Sequence, residues 1–299
     1  MSTLYTRDGT ITQHDAETGE WFHNSAGAYL EAVKNYIEPL SFSFWNPDRL
    51  TVLDSCFGLG YNGLALIEHI CKHATKQVEL KLICIDKNRE HLALLPQVLN
   101  QSCFESIVEK KKLSNFFNQL SKSEEKLVST TFDIGQISLN LIFHVDDLKK
   151  ALPVLVKENI ELDLVFHDPF SAQKIPSLWT YDLFSLYHSL LKNKGGKLLT
   201  YSTASGVRGG LSRCGFEIYR TVPVGTKNGG TIAACKLDKV LQYSIDQNLV
   251  IELDQEEIDN MKGRKGVPYR DPNFNLERHE IIRKRQIEQN GFFPLKKPL

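Results

Sequence analysis

The sequence predicts an α/β fold with a mostly parallel sheet, because apolar runs of strand length alternate with segments of helical spacing. The seven runs assigned to strands are residues 50–56, 78–86, 137–145, 162–166, 197–201, 217–222 and 231–237. The clearest helical patterns cover residues 87–100 and 179–192. Several runs are apolar at nearly every position, which is typical of parallel strands covered by helices on both faces.

The last two strands are predicted to form an antiparallel hairpin, since Pro223 and the pair Gly229-Gly230 lie between them. Residues 105–131, rich in lysine and serine, are predicted to be a helical insertion with a surface loop. The expected architecture is a seven-stranded, mostly parallel sheet whose last hairpin is antiparallel.

Two flanks lie outside this core. We expect residues 1–48 to form an N-terminal extension on the substrate side, residues 49–240 to form the core and residues 241–299 to form a C-terminal helical extension. The C-terminal flank is first acidic and then basic. From Lys262 onward it holds ten Lys or Arg and four Asp or Glu, so a local patch of positive charge is expected there.

Length and charge exclude several classes of protein. With 299 residues, the chain is long enough to bury one large core or two modest ones. Lys plus Arg total 36 and Asp plus Glu total 36, so no net charge attracts the whole chain to nucleic acid or to a membrane. The first residues lack the apolar core of a signal peptide, and no apolar stretch approaches the roughly 20 residues that span a bilayer. We therefore expect a cytoplasmic protein without a membrane partner.

The cysteines give no sign of a metal or redox site. They are Cys56, Cys71, Cys84, Cys103, Cys214 and Cys235. No two stand at the two-residue spacing that is typical of zinc sites and dithiol redox sites. Because several lie inside apolar runs, we expect buried free thiols and no bound metal.

A glycine-containing turn joins the first predicted strand to the first helix. The strand ends at Asp54, and the turn contains Gly58 and Gly60. Glycine lets a ligand approach the backbone, and a helix N-terminus offers N–H groups to an anion. A second acid, Asp86, ends the next strand, where a ribose diol is commonly bound. Together the two strand ends predict a nucleoside ligand, although Asp86 taken alone also suits a helix N-cap.

Two kinds of nucleoside ligand remain open at this point. Gly58, Gly60 and Gly63 match the glycine spacing of dinucleotide-binding proteins, which favours a nicotinamide cofactor. The pair Asp146-Asp147 after the third strand suits an acceptor for an adenine amine, as methyltransferases commonly use. A solvated turn or helix cap explains this pair equally well.

Asp168, Pro169 and Phe170 follow the apolar strand that ends near His167. This is the carboxyl end of a central strand, where open α/β sheets bind their ligands. A carboxylate beside a rigid turn and an aromatic ring can orient an amine and accept its proton. A capped turn is the alternative. His167 alternates to the other side of the strand, so we interpret it as a packed core residue.

Four blocks of the sequence resemble the methyltransferase half of MnmC, the bacterial enzyme that completes 5-methylaminomethyluridine at the tRNA wobble position. The blocks are residues 8–10 with 20–28, residues 57–62, residues 168–180 and residues 202–216. Leu59 stands where many relatives carry threonine, Pro169 where glycine is common, and Ala172 where proline is common. The sequence also ends without the flavin-dependent oxidase half of the fused enzyme.

The resemblance implies a Rossmann-like methyltransferase fold, S-adenosylmethionine as cofactor and tRNA as partner. The implied reaction is N-methylation of the 5-aminomethyl group of a wobble (2-thio)uridine, since a chain without the oxidase half cannot remove a carboxymethyl group. Asp168 is the implied catalytic residue. The residues implied for the cofactor are Asp54, Phe57, Gly58, Gly60, Asn62, Asp86 and Asp147, and those implied for the substrate are His23, Phe170, Lys174, Trp179 and Arg208.

The basic tail is the best candidate for contact with the phosphates of such a substrate. The candidate residues are Lys262, Arg264, Lys265, Arg270, Arg278, Arg283, Lys284 and Arg285. A solvated helix face is the alternative for the tail, and packing between helix and sheet is the alternative for Trp179. A methyltransferase for a protein or small-molecule amine remains open, as do a nicotinamide-dependent oxidoreductase and a catalytically silent nucleoside-binding module.

Overall fold

A nine-stranded mixed sheet forms the centre of the molecule in the computed structural model, which describes residues 3–191, 195–223 and 229–292. A separate hairpin consists of β1 (Thr3–Tyr5) and β2 (Ile11–Gln13). The central strands are β3 (Arg49–Asp54), β4 (Val78–Ile85), β5 (Leu127–Ile134), β6 (Ile137–His144), β7 (Leu164–Phe166), β8 (Lys197–Thr200), β9 (Glu217–Thr221), β10 (Thr231–Ala234) and β11 (Val250–Glu252). Their order across the sheet is β5-β6-β4-β3-β7-β8-β10-β9-β11.

Helices cover both faces of this sheet. They are α1 (Ala28–Ala32), α2 (Phe42–Trp45), α3 (Tyr61–His73), α4 (Arg89–Leu92), α5 (Leu95–Leu99), α6 (Lys110–Lys122), α7 (Leu148–Lys157), α8 (Tyr181–Leu190), α9 (Ser205–Arg213), α10 (Lys239–Asp246), α11 (Gln255–Lys262) and α12 (Arg278–Asn290). A π-helical turn (Val33–Ile37) extends α1, and 3₁₀ turns cover Glu38–Leu40, Ser102–Phe104, Pro176–Leu178 and Arg264–Gly266. The single helix predicted for residues 87–100 is instead the pair α4 and α5, with Pro96 in the first turn of α5.

All seven predicted runs contain strands, but the predicted strand number is wrong. Strands β6, β4, β3, β7 and β8 run parallel to one another, and β10 runs antiparallel to both β8 and β9. The antiparallel last pair is thus confirmed, while residues 224–228 of its predicted turn lie outside the described residues. The two additional strands are β5 and β11, which pair antiparallel with β6 and β9 at the two edges of the sheet.

Strand β5 corrects the prediction of a surface loop at the end of residues 105–131. Helix α6 occupies the first part of that stretch, as predicted, but β5 then pairs with β6 along its whole length, from Leu127 opposite His144 to Ile134 opposite Ile137. Its residues alternate in exposure, because an edge strand buries only one face. Polar side chains therefore occupy half of its positions. For this reason β5 has no continuous apolar run that would predict a strand.

The core consists of two layers of apolar side chains, one on each face of the sheet. Neighbouring residues of β3 show how both are filled, since Val52 belongs to one layer and Leu53 to the other. Helices α3 and α6 cover the first layer, and α7, α8 and α9 cover the second. The cysteines are free, with Cys84 buried and the other five half-buried. None of the described helices combines the length and the apolar character needed to cross a membrane.

Both flanks approach the edge of the sheet where its parallel strands end. The Tyr61 hydroxyl at the start of α3 is hydrogen-bonded to the Ile11 backbone N–H and C=O, both at 2.9 Å, which fixes the N-terminal hairpin. On the C-terminal side, the Asp182 carboxylate accepts hydrogen bonds from the Arg270 side chain and from the Asp271 N–H. The C-terminal flank also supplies β11, so it is not purely helical.

Substitution of Gly60 by alanine would test how tightly the turn after β3 is packed. It has φ of +76°, and an added Cβ would lie 2.7 Å from Phe57 and 2.8 Å from Leu95. Gly60→Ala therefore combines a left-handed alanine, costing about 1–2 kcal/mol, with overpacking that costs a further ~1–3 kcal/mol. Gly9 has φ of +79° and no heavy atom within 4 Å of such a Cβ, so Gly9→Ala carries only the first cost. Urea unfolding should show the larger loss for Gly60→Ala; equal losses would contradict this account.

Candidate active site

The carboxyl ends of β3, β4, β6 and β7 open into one cavity of about 700 Å³. Its size is within the range of about 300–1,000 Å³ that is typical of small-ligand sites. The lining residues come from segments within 15–24, 55–62, 85–91, 146–149 and 168–178, together with Glu31, Tyr201 and Arg278. The sheet therefore supplies the floor, and both flanks contribute to the walls.

The turn after β3 is fixed by hydrogen bonds to its neighbouring strands. The Ser55 N–H donates to the Phe166 carbonyl at 2.9 Å, and the Gly58 N–H donates to Asp86 Oδ2 at 2.7 Å. Gly58 has φ of +53°, and a Cβ there would lie 2.9 Å from the ring of Phe22. The absence of a side chain thus lets the backbone of the turn face the cavity directly beneath an aromatic ring.

Asp86 and Asp147, which we predicted to bind the ribose and the adenine of the cofactor, both line this cavity. Asp86 Oδ1 also accepts a hydrogen bond from the Asn88 N–H at 2.8 Å, and burial raises the pKa of Asp86. Asp147 is the N-cap of α7, where its Oδ1 accepts from the Lys149 N–H at 2.8 Å. Asp147 therefore does serve as a helix N-cap, the alternative that we considered for it. It also lines the cavity, so the two roles are compatible.

Asp168 lies two residues after the end of β7 and is held by hydrogen bonds. Its Oδ2 accepts a hydrogen bond from Asn62 Nδ2 at 2.7 Å, and the Tyr36 hydroxyl is also hydrogen-bonded to it. The adjoining turn is fixed by the Tyr201 hydroxyl, which donates to the Pro169 carbonyl at 2.9 Å. Burial and the Asp168 charge raise the pKa of both tyrosines well above the usual value, so their hydroxyls remain protonated donors at neutral pH.

Two phenylalanines form an apolar wall of the cavity. The rings of Phe22 and Phe170 meet edge to face with their centroids 5.0 Å apart. Trp179, which the resemblance implied as a substrate residue, is instead fully buried and does not line the cavity, as the packing alternative predicted. Its indole N–H donates to the Phe170 carbonyl at 2.8 Å. Trp179 thus supports the wall from behind.

Two glutamates at the cavity were missed by our sequence analysis. Glu20 accepts hydrogen bonds from the Ser171 N–H at 2.9 Å and hydroxyl at 2.6 Å, which ties the N-terminal flank to the turn after β7. Glu31 on α1 is buried and accepts from the Asn24 N–H at 3.3 Å. Glu20 stands in a block that carries the family resemblance, whereas no pattern in the sequence singles out Glu31.

Positive charge lies along one side of the cavity. Lys174 and Arg278 both line it and are exposed. Arg278, at the start of α12, donates from Nε and from one terminal nitrogen to the Gln173 carbonyl at 3.1 and 2.7 Å. Lys174 and His23, both implied for the substrate, line the cavity, and Arg278 joins them from a helix more than a hundred residues away in sequence.

Three other predicted residues do not line the cavity. Asp54 is fully buried, and its Oδ2 accepts from the Gly63 N–H at 3.0 Å, so it holds the start of α3 in place. Gly60 is enclosed by side chains rather than facing the cavity. Arg208 is buried, donating to Glu257 Oε1 at 2.8 Å. The prediction that these three residues contact a ligand directly is therefore wrong. Asp54 and Arg208 instead form buried hydrogen bonds within the protein, and Gly60 is packed against side chains.

His167 is a packed core residue, in agreement with the sequence interpretation. It is fully buried, with Nε2 at 2.9 Å from the Leu178 carbonyl and Nδ1 at 3.1 Å from the Tyr187 hydroxyl. Burial lowers the pKa of His167 to about 3, so its ring is neutral at physiological pH. Within the described residues, no group of three or more His, Cys, Asp or Glu side chains could hold a metal ion.

Several known proteins are similar to this chain in sequence or in fold. Residues 108–236 match the model of a family described as S-adenosyl-L-methionine-dependent methyltransferases. An uncharacterized protein of Methanocaldococcus jannaschii is 29% identical over 281 residues, covering 94% of this chain and 70% of that protein. The bifunctional protein MnmC of Stutzerimonas stutzeri is 28% identical over 197 residues, covering 63% of this chain and 27% of that protein. The MnmC protein of Ralstonia nicotianae is 26% identical over 228 residues, covering 75% and 33%.

The crystal structure of MnmC2 from Aquifex aeolicus superposes with a TM-score of 0.73 and 24% identity, covering 97% of this chain and 85% of that one. It therefore has the same fold. The chain is an S-adenosylmethionine-dependent methyltransferase. It is related to the methyltransferase part of MnmC, and it spans about a quarter to a third of the length of the bifunctional MnmC relatives.

The site of this methyltransferase fits its cofactor. The backbone of the turn at Gly58 and the carboxylates of Asp86 and Asp147 line the same cavity, so one elongated nucleoside ligand can contact all three. The packing of Gly63 against Asp54 and Leu82 would suit either cofactor, so it is the match of residues 108–236 to S-adenosyl-L-methionine-dependent methyltransferases that favours S-adenosylmethionine over a nicotinamide cofactor.

Asp86 gives a test of the cofactor site of the methyltransferase. If its carboxylate accepts a hydrogen bond from the ribose diol, Asp86→Ala should weaken binding of S-adenosylhomocysteine by about 1.5–3 kcal/mol, as is usual for a hydrogen bond to a charged group. Titration calorimetry measures this change, with Glu17→Ala as a control for the loss of one negative charge at the rim of the same cavity. Equal affinities of Asp86→Ala and the wild type would remove Asp86 from the cofactor site.

Proposed function

We propose that this methyltransferase transfers a methyl group to the 5-aminomethyl nitrogen of a wobble (2-thio)uridine in tRNA, giving 5-methylaminomethyl-(2-thio)uridine. The observation that carries the proposal is the setting of Asp168, a carboxylate held by Asn62 and Tyr36 in the same cavity as the cofactor-side residues Gly58 and Asp86. An oriented carboxylate beside an apolar wall suits an amine that must be aimed and must lose a proton.

In this proposal Asp168 accepts a hydrogen bond from the primary amine and takes up the proton that the nitrogen loses. Phe22 and Phe170 exclude water from the amine, which favours its neutral, nucleophilic form. When bound, S-adenosylmethionine supplies a methyl group that its sulfonium already activates for transfer. Gly58 and Asn62 hold the methionine portion of the cofactor, beside Phe57, while Asp86 holds the ribose.

The relatives support tRNA as the substrate class. The bifunctional MnmC proteins of Stutzerimonas stutzeri and Ralstonia nicotianae are named for tRNA 5-methylaminomethyl-2-thiouridine biosynthesis. A tRNA substrate implies that the enzyme acts in the cytoplasm. Lys174 and Arg278 stand at the cavity, where a nucleotide inserted from a polynucleotide brings its phosphates.

Helix α12 offers a further basic surface, but only part of the predicted patch is available. Arg283 and Lys284 are exposed. Arg285 instead donates to the Val267 carbonyl at 2.6 Å, and its guanidinium lies 4.6 Å from the centre of the Tyr269 ring. We therefore assign phosphate contact to Arg283 and Lys284, and a structural role to Arg285.

The direct test is methyl transfer from labelled S-adenosylmethionine to tRNA from cells that lack this enzyme, followed by nucleoside analysis. The expected product is 5-methylaminomethyl-(2-thio)uridine, with loss of the 5-aminomethyl nucleoside. An unmodified tRNA pool, together with normal binding of S-adenosylhomocysteine, would refute the tRNA substrate and point to a protein or small-molecule amine.

Asp168→Asn keeps the size of the side chain and removes its charge. We expect nearly normal cofactor affinity and a turnover reduced by about 10²- to 10⁴-fold, the usual contribution of a general base. The wild-type rate should rise with pH as more of the substrate amine becomes neutral, and the variant should lag most at low pH. Asp15→Asn, at the rim of the same cavity, is the control. Full turnover of Asp168→Asn at neutral pH would reduce Asp168 to a turn-forming residue.

The basic surface of α12 predicts a salt effect. Removing Arg283 and Lys284 together, each replaced by alanine, should raise the KM for tRNA and reduce the slope of log KM against log salt by about 1–2. Lys111 and Lys112 on α6, which do not line the cavity, provide a charge-matched control pair. An unaltered salt slope would show that the α12 lysine and arginine are only solvated.

A further inference from the structure

His91 carries a buried polar atom without a partner at the cavity. The residue lies on α4, lines the cavity and is 6% exposed. Its Nδ1 atom has no hydrogen-bond partner among the described residues. Asp86 Oδ1 is 4.0 Å from this nitrogen, which is too far for a hydrogen bond. A buried ring nitrogen without a hydrogen-bond partner is unusual, which suggests that a bound ligand supplies the partner.

The neighbouring N-cap residue, Asn88, determines which ring nitrogen of His91 carries the hydrogen. Asn88 is the N-cap of α4, and its Oδ1 accepts from the Glu90 N–H at 2.9 Å. Its Nδ2 therefore faces His91 Nε2, at 3.3 Å. Because an amide nitrogen can only donate, Nε2 must accept, and the neutral imidazole carries its hydrogen on Nδ1. Burial lowers the pKa of His91, which keeps the ring neutral.

The ring is also fixed in orientation. Phe22 packs edge to face against it, with centroids 4.7 Å apart, and the same Phe22 lies over Gly58. His91 Nδ1–H and the Asp86 carboxylate are thus a donor and an acceptor side by side on one wall of the cavity. An oxygen atom in the 4.0 Å gap can lie about 2.8 Å from each of them.

We propose that His91 Nδ1–H and the Asp86 carboxylate together bind one hydroxyl of the cofactor's ribose diol. The hydroxyl donates a hydrogen bond to the Asp86 carboxylate and accepts one from His91 Nδ1–H. A hydroxyl can do both, whereas an ammonium has no acceptor atom and a phosphate or carboxylate is repelled by Asp86. His91 is therefore a further residue of the cofactor site. The inference rests on the proposed placement of the ribose at Asp86 and is independent of the methyl acceptor.

The test compares His91→Phe with the wild type by titration calorimetry on three ligands: S-adenosylhomocysteine and its 2′-deoxy and 3′-deoxy analogues. Phenylalanine keeps the ring against Phe22 and removes the N–H. For S-adenosylhomocysteine we expect about a tenfold loss of affinity. For the analogue that lacks the bridging hydroxyl, wild type and variant should differ less than twofold. His14→Phe, a histidine outside the cavity that packs against Trp21, is the control.

An equal loss of affinity for all three ligands, or no loss for any, would overturn the proposal. Nitrogen NMR of the wild-type imidazoles is a second measurement that does not depend on the folding of a variant. The His91 resonances, assigned through bonds from the backbone of the wild-type protein, should report Nδ1–H in the free protein. A dominant Nε2–H form would also overturn the proposal. No tRNA enters these measurements, so failure of the tRNA substrate leaves their outcome unchanged.

Discussion

The hydrogen bond from the Gly58 N–H to the Asp86 carboxylate connects the ends of two neighbouring parallel strands, and the shape of the site depends on it. It holds the turn after β3 in a left-handed conformation with its backbone towards the cavity. That conformation leaves room above Gly58 for the ring of Phe22, which then contacts His91 on one side and Phe170 on the other. One backbone donor thus connects the proposed cofactor side of the cavity to the proposed substrate side.

The flanks complete a site that the sheet alone leaves open. The N-terminal flank contributes Phe22 and Glu20, and the two hydrogen bonds from Ser171 to Glu20 fasten it to the turn after β7. The C-terminal flank contributes Arg278, which reaches the same turn through the Gln173 carbonyl. Because both contacts converge on the segment that carries the proposed catalytic carboxylate, its position is set by three parts of the chain at once.

The sequence predicts the strands and the acids at their ends, because a parallel strand buried on both faces leaves a continuous apolar signal and its ligand-binding residues follow directly. It predicts contacts between distant segments poorly. Nothing local connects Arg278 to the turn after β7, and residue type does not tell which face a side chain takes. Trp179 and Arg208 have the chemistry of ligand-binding residues, yet one supports a wall and the other forms a buried ion pair with Glu257. Edge strand β5 was not predicted, because half of its residues are exposed and the strand has no continuous apolar run.

A chain with a formal net charge of zero can still suit a cationic cofactor and a polyanionic substrate if its charges are segregated. Carboxylates line the interior of the cavity, where they favour a sulfonium. Basic side chains line its exposed side, where they favour phosphates. Crowding of the acids has a cost, since burial and the nearby Asp168 raise the pKa of Asp54 well above the usual value. Asp54 nevertheless has a structural use, because its Oδ2 accepts a hydrogen bond from the Gly63 N–H and so holds the start of α3.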